Sequence, residues 1–111
     1  MKEGDIILTP VPQANGQSKN RPALLLRELP PFRDALVCGI STQLQQHVSG
    51  FDEIIRRQDA DFAASGLVAD SLFRLGFLAV IPRHKLIGGI GSIAPDRHHR
   101  LLKNLSEYLL K

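Results

Sequence analysis

The apolar residues of this chain fall in short blocks rather than in one long periodic stretch. Ile6-Ile7-Leu8, Ala23-Leu24-Leu25-Leu26 and Leu36-Val37-Cys38-Gly39-Ile40 are each bounded by polar or turn residues. Runs of that length suit buried strands better than helices. Between the first two lies Pro10-Val11-Pro12-Gln13-Ala14-Asn15-Gly16-Gln17-Ser18-Lys19-Asn20, with two prolines and an Asn-Gly pair. It reads as a long mobile loop, and loops of that length in small domains usually carry function. Leu29-Pro30-Pro31-Phe32-Arg33-Asp34 reads as a hairpin turn between the next two strands. Phe51, Ile54, Ile55, Gln58 and Phe62 recur at helical spacing, so periodicity alone predicts a helix over 51–62. Ser71 to Ile81 reads as one long strand that carries a charge at Arg74 and is stopped by Pro82. After Ile87-Gly88-Gly89-Ile90-Gly91 a helix begins, with Pro95 in its first turn and Asp96 complementing its positive end. Leu101, Leu102, Leu105, Tyr108 and Leu109 form its apolar stripe, while Arg97, Arg100, Lys103 and Lys111 fall largely elsewhere. Strands first and a helix last predict a small β-barrel, or a sheet closed by a C-terminal helix.

Composition narrows the class without changing that picture. The 111 residues are the size of one domain, expected to span 1–111, and 43 % hydrophobic with 23 % charged residues is ordinary globular composition. No apolar run approaches a membrane span, and Met1-Lys2-Glu3-Gly4-Asp5 has no long apolar region behind it, unlike a secretory signal. A single Cys38 cannot form an internal disulfide, which fits a reducing compartment; a cytoplasmic protein is expected. Charge is uneven: residues 1–70 sum to −2 and residues 71–111 to +5, with His84, His98 and His99 also in the second part. Such a surface attracts polyanions, although charge alone does not separate that role from a solvated helix face.

Three motifs look like chemistry and are set aside. Gly89-Ile90-Gly91-Ser92-Ile93-Ala94 spells a dinucleotide fingerprint, but the mechanism needs a second parallel strand after the helix and none follows. The glycines read instead as a bend or bulge in a closely packed strand. His98 and His99 point about 100° apart on a helix with no ligand partner at i+3 or i+4, so they read as solvated residues and no metal is expected. Cys38 with His47 lacks an orienting third group, and Cys38 sits in a core-like run.

The order of the remaining motifs is more specific. Gly4-Asp5-Ile6-Ile7-Leu8, a polar loop, and then Arg21-Pro22 leading into Ala23-Leu24-Leu25-Leu26 resembles the opening of the MazF/PemK family of toxin endoribonucleases. Gly39-Ile40-Ser41-Thr42-Gln43 is similar to that family's third strand, which ends in a hydroxyl residue. Gly66-Leu67-Val68-Ala69-Asp70-Ser71 is similar to its G-L-x-x-D-S connection, Arg83-His84-Lys85-Leu86 through Ser92-Ile93 to its basic turn and following strand, and Pro95 onward to its closing helix. The resemblance spans nearly the whole chain. It implies an SH3-like barrel, mainly β with a C-terminal helix, and it replaces the helix over 51–57 by a strand followed by a helical turn near 59–65. It further implies a homodimer, a cognate antitoxin partner, single-stranded RNA as substrate, and cleavage without metal or other cofactor.

Metal-free cleavage of RNA uses the ribose 2′-OH as nucleophile, so the protein moves protons and stabilises charge on phosphate oxygens. The resemblance places Arg21 and Ser41 at that centre. Arg21 has the donor fork that suits phosphate, and with a pKa above about 12 it is a poor base, so its role is transition-state stabilisation with proton donation as a second possibility. Ser41, with Thr42 its near alternative, would bond a phosphate oxygen; its plainer role is a strand-end hydroxyl satisfying backbone. Asn15, Gln17, Lys19, Asn20, Thr42, Gln43 and Arg74 are the expected RNA contacts. One departure stands out. In many members the long strand carries patterns like E-Q-x-R or R-x-D-Q, but here Arg74-Leu75-Gly76-Phe77 puts Gly76 and Phe77 where acid and amide belong. The general base is therefore unassigned, and a member that binds RNA or a protein without cutting is the rival reading. Phe77 is expected chiefly in the core, with stacking on a base as the alternative. A gyrase poison on the same fold ranks last, because that family is expected to use a C-terminal Trp and this chain has none.

Overall fold

The computed structural model describes residues 1–12 and 14–111, leaving aside the side chains of residues 11 and 12. Strands β1 (Asp5–Pro12), β2 (Ser18–Leu29), β3 (Asp34–Ser41), β4 (Glu53–Ile55), β5 (Ser71–Ile81) and β6 (Gly88–Ser92) join helices α1 (Phe62–Ser65) and α2 (Pro95–Leu109). The strands form a curled antiparallel sheet in the order β4-β5-β3-β2-β1-β6, with α2 last in the chain. This is the mainly β fold with a closing helix that the sequence resemblance implies.

The sheet is buried on both faces. Ile6, Leu24, Leu26, Cys38, Ile55, Phe73 and Leu75 pack with Leu101 and Leu105 of α2 on one side. Ile7, Ala23, Leu25, Ala35 and Val37 pack beneath Leu86 on the other. Alternation along each strand sends successive side chains to opposite faces. Double burial explains why the strand blocks read as nearly continuous apolar runs instead of alternating ones.

Two local readings need correction. The loop expected over 10–20 is mostly strand, since the β1–β2 ladder runs out to Pro12 opposite Ser18; Gln13 lies outside the described residues. Prolines are compatible with this ribbon because beyond Leu8 no residue of β1 pairs with β6, so a missing N–H on that side breaks no ladder. The helix expected from periodicity over 51–62 is instead β4, a turn, and the single turn α1, as the resemblance implies. Phe51, Ile55 and Phe62 do reach one core, but they do so from a strand and two turns that wrap around it.

The glycines of β6 behave as read. An extra residue, Ile90, interrupts the register between Ile6 opposite Gly91 and Ile7 opposite Gly89. A methyl on Gly91 would overlap the carbonyls of Ala64 and Ser65 in α1, and one on Gly66 would overlap the carbonyl of Ile90. Backbone therefore lies directly against backbone where α1 meets β6, and only glycine permits it.

Helix α2 departs from the stripe in three places. Leu101 and Leu105 are buried as expected, but Tyr108 and Leu109 are exposed. Tyr108 lies tilted against Phe51, with ring centres 5.0 Å apart. Arg97 is buried at 8 % exposure. Its guanidinium binds Asp61 at 2.8 Å and Asp59 and Glu53 at 3.1 Å, so it joins α2 to the β4–α1 segment. His98 is half-buried and donates from Nε2 to the Leu26 carbonyl at 2.8 Å, whereas His99 is solvated as expected. Cys38 lies fully within the core, and burial pushes its thiol pKa up to about 12.

Candidate functional site

At one end of the sheet the first residues of β2, the end of β3 and the α1–β5 connection enclose a cleft of about 390 Å³. Arg21 and Pro22 line it from β2, Ser41 with Thr42 and Gln43 from the end of β3, and Leu67, Val68, Ala69 and Ser71 from the connection. The register explains the meeting of Arg21 and Ser41. Ala23 pairs with Gly39, and the two site residues each lie two positions outward from that pair, hence on the same face. Pro22 sets φ at the point where β2 turns inward and becomes buried at Ala23.

Local hydrogen bonds shape the cleft. The Gln43 N–H donates to Ser41 Oγ at 3.0 Å, so this hydroxyl does satisfy backbone, and its own proton remains free to donate. Gln45 Nε2 donates to Gln43 Oε1 at 2.8 Å, which fixes the amide at the rim. Behind the connection, Arg57 donates its backbone N–H to Asp70 Oδ1 at 2.8 Å and its guanidinium to the Val68 carbonyl at 3.0 Å. Arg56 adds an ion pair to Asp70 at 3.8 Å. Ser71 Oγ donates back to the Ala69 carbonyl at 2.7 Å. The wall is thus a braced segment, with Val68 at its crest 86 % exposed.

Of the residues singled out from sequence, the fold gathers Arg21, Ser41, Thr42 and Gln43 in this cleft. Asn15, Gln17, Lys19 and Asn20 are exposed on the β1–β2 hairpin and do not line it. Asn15 Oδ1 accepts the Gln17 N–H at 3.0 Å and so shapes the turn. Arg74 is half-buried on β5 opposite Gly39, outside the lining. The Leu67–Ser71 wall was visible only as a motif, with nothing in it to mark a cleft. Among the described residues no cluster of three His, Cys, Asp or Glu could hold a metal ion.

The stretch with unexpected residues has a structural explanation. Cys38 pairs with Leu78 but the next residue, Gly39, pairs with Arg74, so residues 75–77 arch out of the ladder. Buried Asp52 supports the arch, accepting the Leu75 N–H at 2.9 Å and the Val48 N–H at 3.0 Å. Phe77, expected chiefly in the core, is 39 % exposed and lies outside both core clusters.

Compared with known families, residues 2–109 match the model for the PemK-like, MazF-like toxin of type II toxin–antitoxin systems. The chain belongs to that family. Because the match covers nearly the whole chain, the barrel, the cleft and the arch all lie within the PemK/MazF-like region. A PemK/MazF-like toxin of this kind implies an antitoxin partner. No curated protein matches the chain. Among the described residues of this toxin, no helix is long and apolar enough to cross a membrane.

Proposed function

We propose that this toxin is an endoribonuclease that cuts single-stranded mRNA without metal. The observation that carries the reading is the cleft that brings Arg21 together with Ser41, Thr42 and Gln43. That lining offers a guanidinium, hydroxyls and an amide, the donor set for a phosphodiester. The substrate's 2′-OH attacks the adjacent phosphorus, the bond to the 5′-oxygen of the next nucleotide breaks, and the products carry a 2′,3′-cyclic phosphate and a 5′-OH. Arg21 neutralises the charge that grows on the non-bridging oxygens, and Ser41 donates its hydroxyl proton in a hydrogen bond to one of them. Asn15, Gln17, Lys19 and Asn20 on the hairpin and Arg74 on β5 hold flanking nucleotides. The working form is a cytoplasmic homodimer, released from its antitoxin. An apolar groove of about 510 Å³ between α2 and the sheet, lined by Leu36, Leu102, Leu105 and Leu109, supports such pairing.

A second reading, RNA binding without cleavage, is favoured by one observation: among the described residues the cleft lining contains no carboxylate. Gly76 stands where the family pattern has an acid, and both oxygens of the neighbouring Asp70 are engaged by Arg57 and Arg56.

The purified protein, free of antitoxin and in excess EDTA, is incubated with mixed-sequence single-stranded RNA and the fragment ends are mapped. Discrete 5′-OH and cyclic-phosphate ends, lost in Arg21→Ala while the protein stays folded, are the expected outcome. Cleavage retained by Arg21→Ala would sink the assignment of that residue. Intact RNA in a salt-sensitive complex would establish the second reading.

A further inference from the structure

We propose that Phe77, seated on Gly39, is a stacking platform for an RNA base and sets which nucleotide is accepted beside the cleavage point. The inference rests on the ribonuclease reading above.

A phenylalanine in a small barrel is ordinarily core, and Phe73, four residues earlier on the same strand, is fully buried. Phe77 instead keeps 39 % of its surface exposed. Its ring lies on bare backbone: a Cβ built on Gly39 would come within 3.2 Å of Phe77 Cδ1 and 3.3 Å of Cγ. The arch at residues 75–77 brings the ring over Gly39, and the Asp52 carboxylate holds that arch by accepting the Leu75 N–H. An exposed aromatic ring supported from below presents a π-face to solvent at little further cost in conformational freedom.

Its position is what gives the ring a ligand. Gly39 is two residues from Ser41 on β3 and directly opposite Ala23, which is two residues from Arg21 on β2. At about 3.3 Å per residue, the platform begins roughly 7 Å from the pair assigned to the reacting phosphate. Arg74 pairs with Gly39 from the far side, which puts a cationic residue on the strand next to the platform. An aromatic face between cations is the arrangement that holds single-stranded nucleic acid, the ring stacking a base while the cations follow the backbone. Phe77 offers no hydrogen bond, so discrimination comes from stacking area and favours purines over pyrimidines at that position.

The test first maps the site cut by wild-type protein. An oligoribonucleotide containing that site then carries a 2′-deoxy sugar at the cut position and 2-aminopurine at the neighbouring base, and fluorescence quenching on binding reports stacking. Phe77→Ala and Phe77→Leu are expected to weaken binding and raise KM about tenfold, with kcat nearly unchanged and the purine preference flattened. Phe77→Trp restores quenching, KM and preference. Gly39→Ala, which pushes the ring by a few tenths of an ångström, gives a smaller rise. If Phe77→Leu matches wild type in KM, quenching and cut pattern, the ring is only packing and the inference fails while the ribonuclease stands. If Phe77→Ala changes the oligomeric state and leaves RNA affinity intact, the ring belongs to a protein contact and the inference again fails. Wild-type protein that neither binds nor cuts RNA overturns both readings at once.

Discussion

At the scale of single residues, the cleft depends on what lies beside it. Thr9 pairs with Arg21 across β1 and β2 and is fully buried. Among the described residues its Oγ1 is the buried side-chain atom with no hydrogen-bond partner. Burying a hydroxyl without a partner costs about 1–3 kcal/mol, and valine has the same shape without that cost. Thr9→Val is therefore expected to raise stability by about 1 kcal/mol in denaturant unfolding and to leave the proposed RNA cleavage unchanged. A fall in kcat would instead show that the hydroxyl finds a partner when RNA is bound. Cys38 makes the opposite case. With its thiol pKa raised to about 12 by burial and by the nearby Asp52 charge, it is expected to resist alkylating reagents at neutral pH until the protein is unfolded.

At the scale of elements, α2 is held at its start by ion pairs and along its length by leucines. Ala94, just before the helix, has no capping side chain of its own; Asp61 accepts its N–H at 3.0 Å while also binding Arg97. The bond from Arg97 holds the Asp61 carboxyl below its ordinary value of 3.8. A group whose folded pKa is depressed contributes stability above its unfolded pKa and loses it as pH falls through the folded one. Stability is thus expected to fall as the solution is acidified below about pH 4. Arg97→Ala, which leaves Asp61, Asp59 and Glu53 without their shared cation, is expected to cost about 3 kcal/mol in chemical denaturation and to flatten that acid limb. An unchanged acid limb in the variant would assign it to other carboxylates.

This same helix shows what the sequence could and could not disclose. Pro95, Leu101 and Leu105 announce their roles by position and spacing alone. Arg97 does not, because its burial depends on three acids that lie 36 to 44 residues earlier and meet it only after folding. The helix wrongly expected over 51–62 has the same origin: Phe51, Ile55 and Phe62 point to one core from different backbone conformations, and periodicity cannot tell that from one helix face. Arg21 and Ser41 were found through motif order, whereas Leu67–Ser71 became a cleft wall only when α1 placed it opposite β3. Phe77 shows the limit most directly, since its exposure follows from a three-residue arch that no local pattern encodes.

At the scale of the molecule, the basic second half is less basic than its count suggests. Arg97 and Arg100 are answered by Glu53, Asp59, Asp61 and Asp96, and Arg83 by Glu28. In the proposed reading, the RNA contacts assigned to cations are those of Lys19 on the hairpin, Arg74 on β5 and Arg21 in the cleft. With three such contacts, a log–log plot of single-strand affinity against salt is expected to slope about −2, and a slope near −5 would mean that the remaining cations engage as well. The apolar groove on α2 belongs to the same scale. Leu109→Glu is expected to convert the proposed dimer to monomer in sedimentation without unfolding it, since Leu109 is 68 % exposed; an unaltered sedimentation coefficient would place the pairing surface elsewhere.

The contact of bare backbones at Gly66 and Gly91 acts on this molecule as a hoop acts on staves. Strands β4 and β6 are the two outer edges of the sheet, and α1, which follows β4, touches β6 at that point. The chain leaves α1 through Gly66 and passes at once into Leu67–Ser71, the wall facing Arg21 and Ser41. The gauge of the cleft is therefore set in part by the seam on β6, an edge strand that contributes no residue to the lining. One methyl group at Gly91 forces the hoop open, and loosening there is felt as a change of bore in which every side chain of the site is still present.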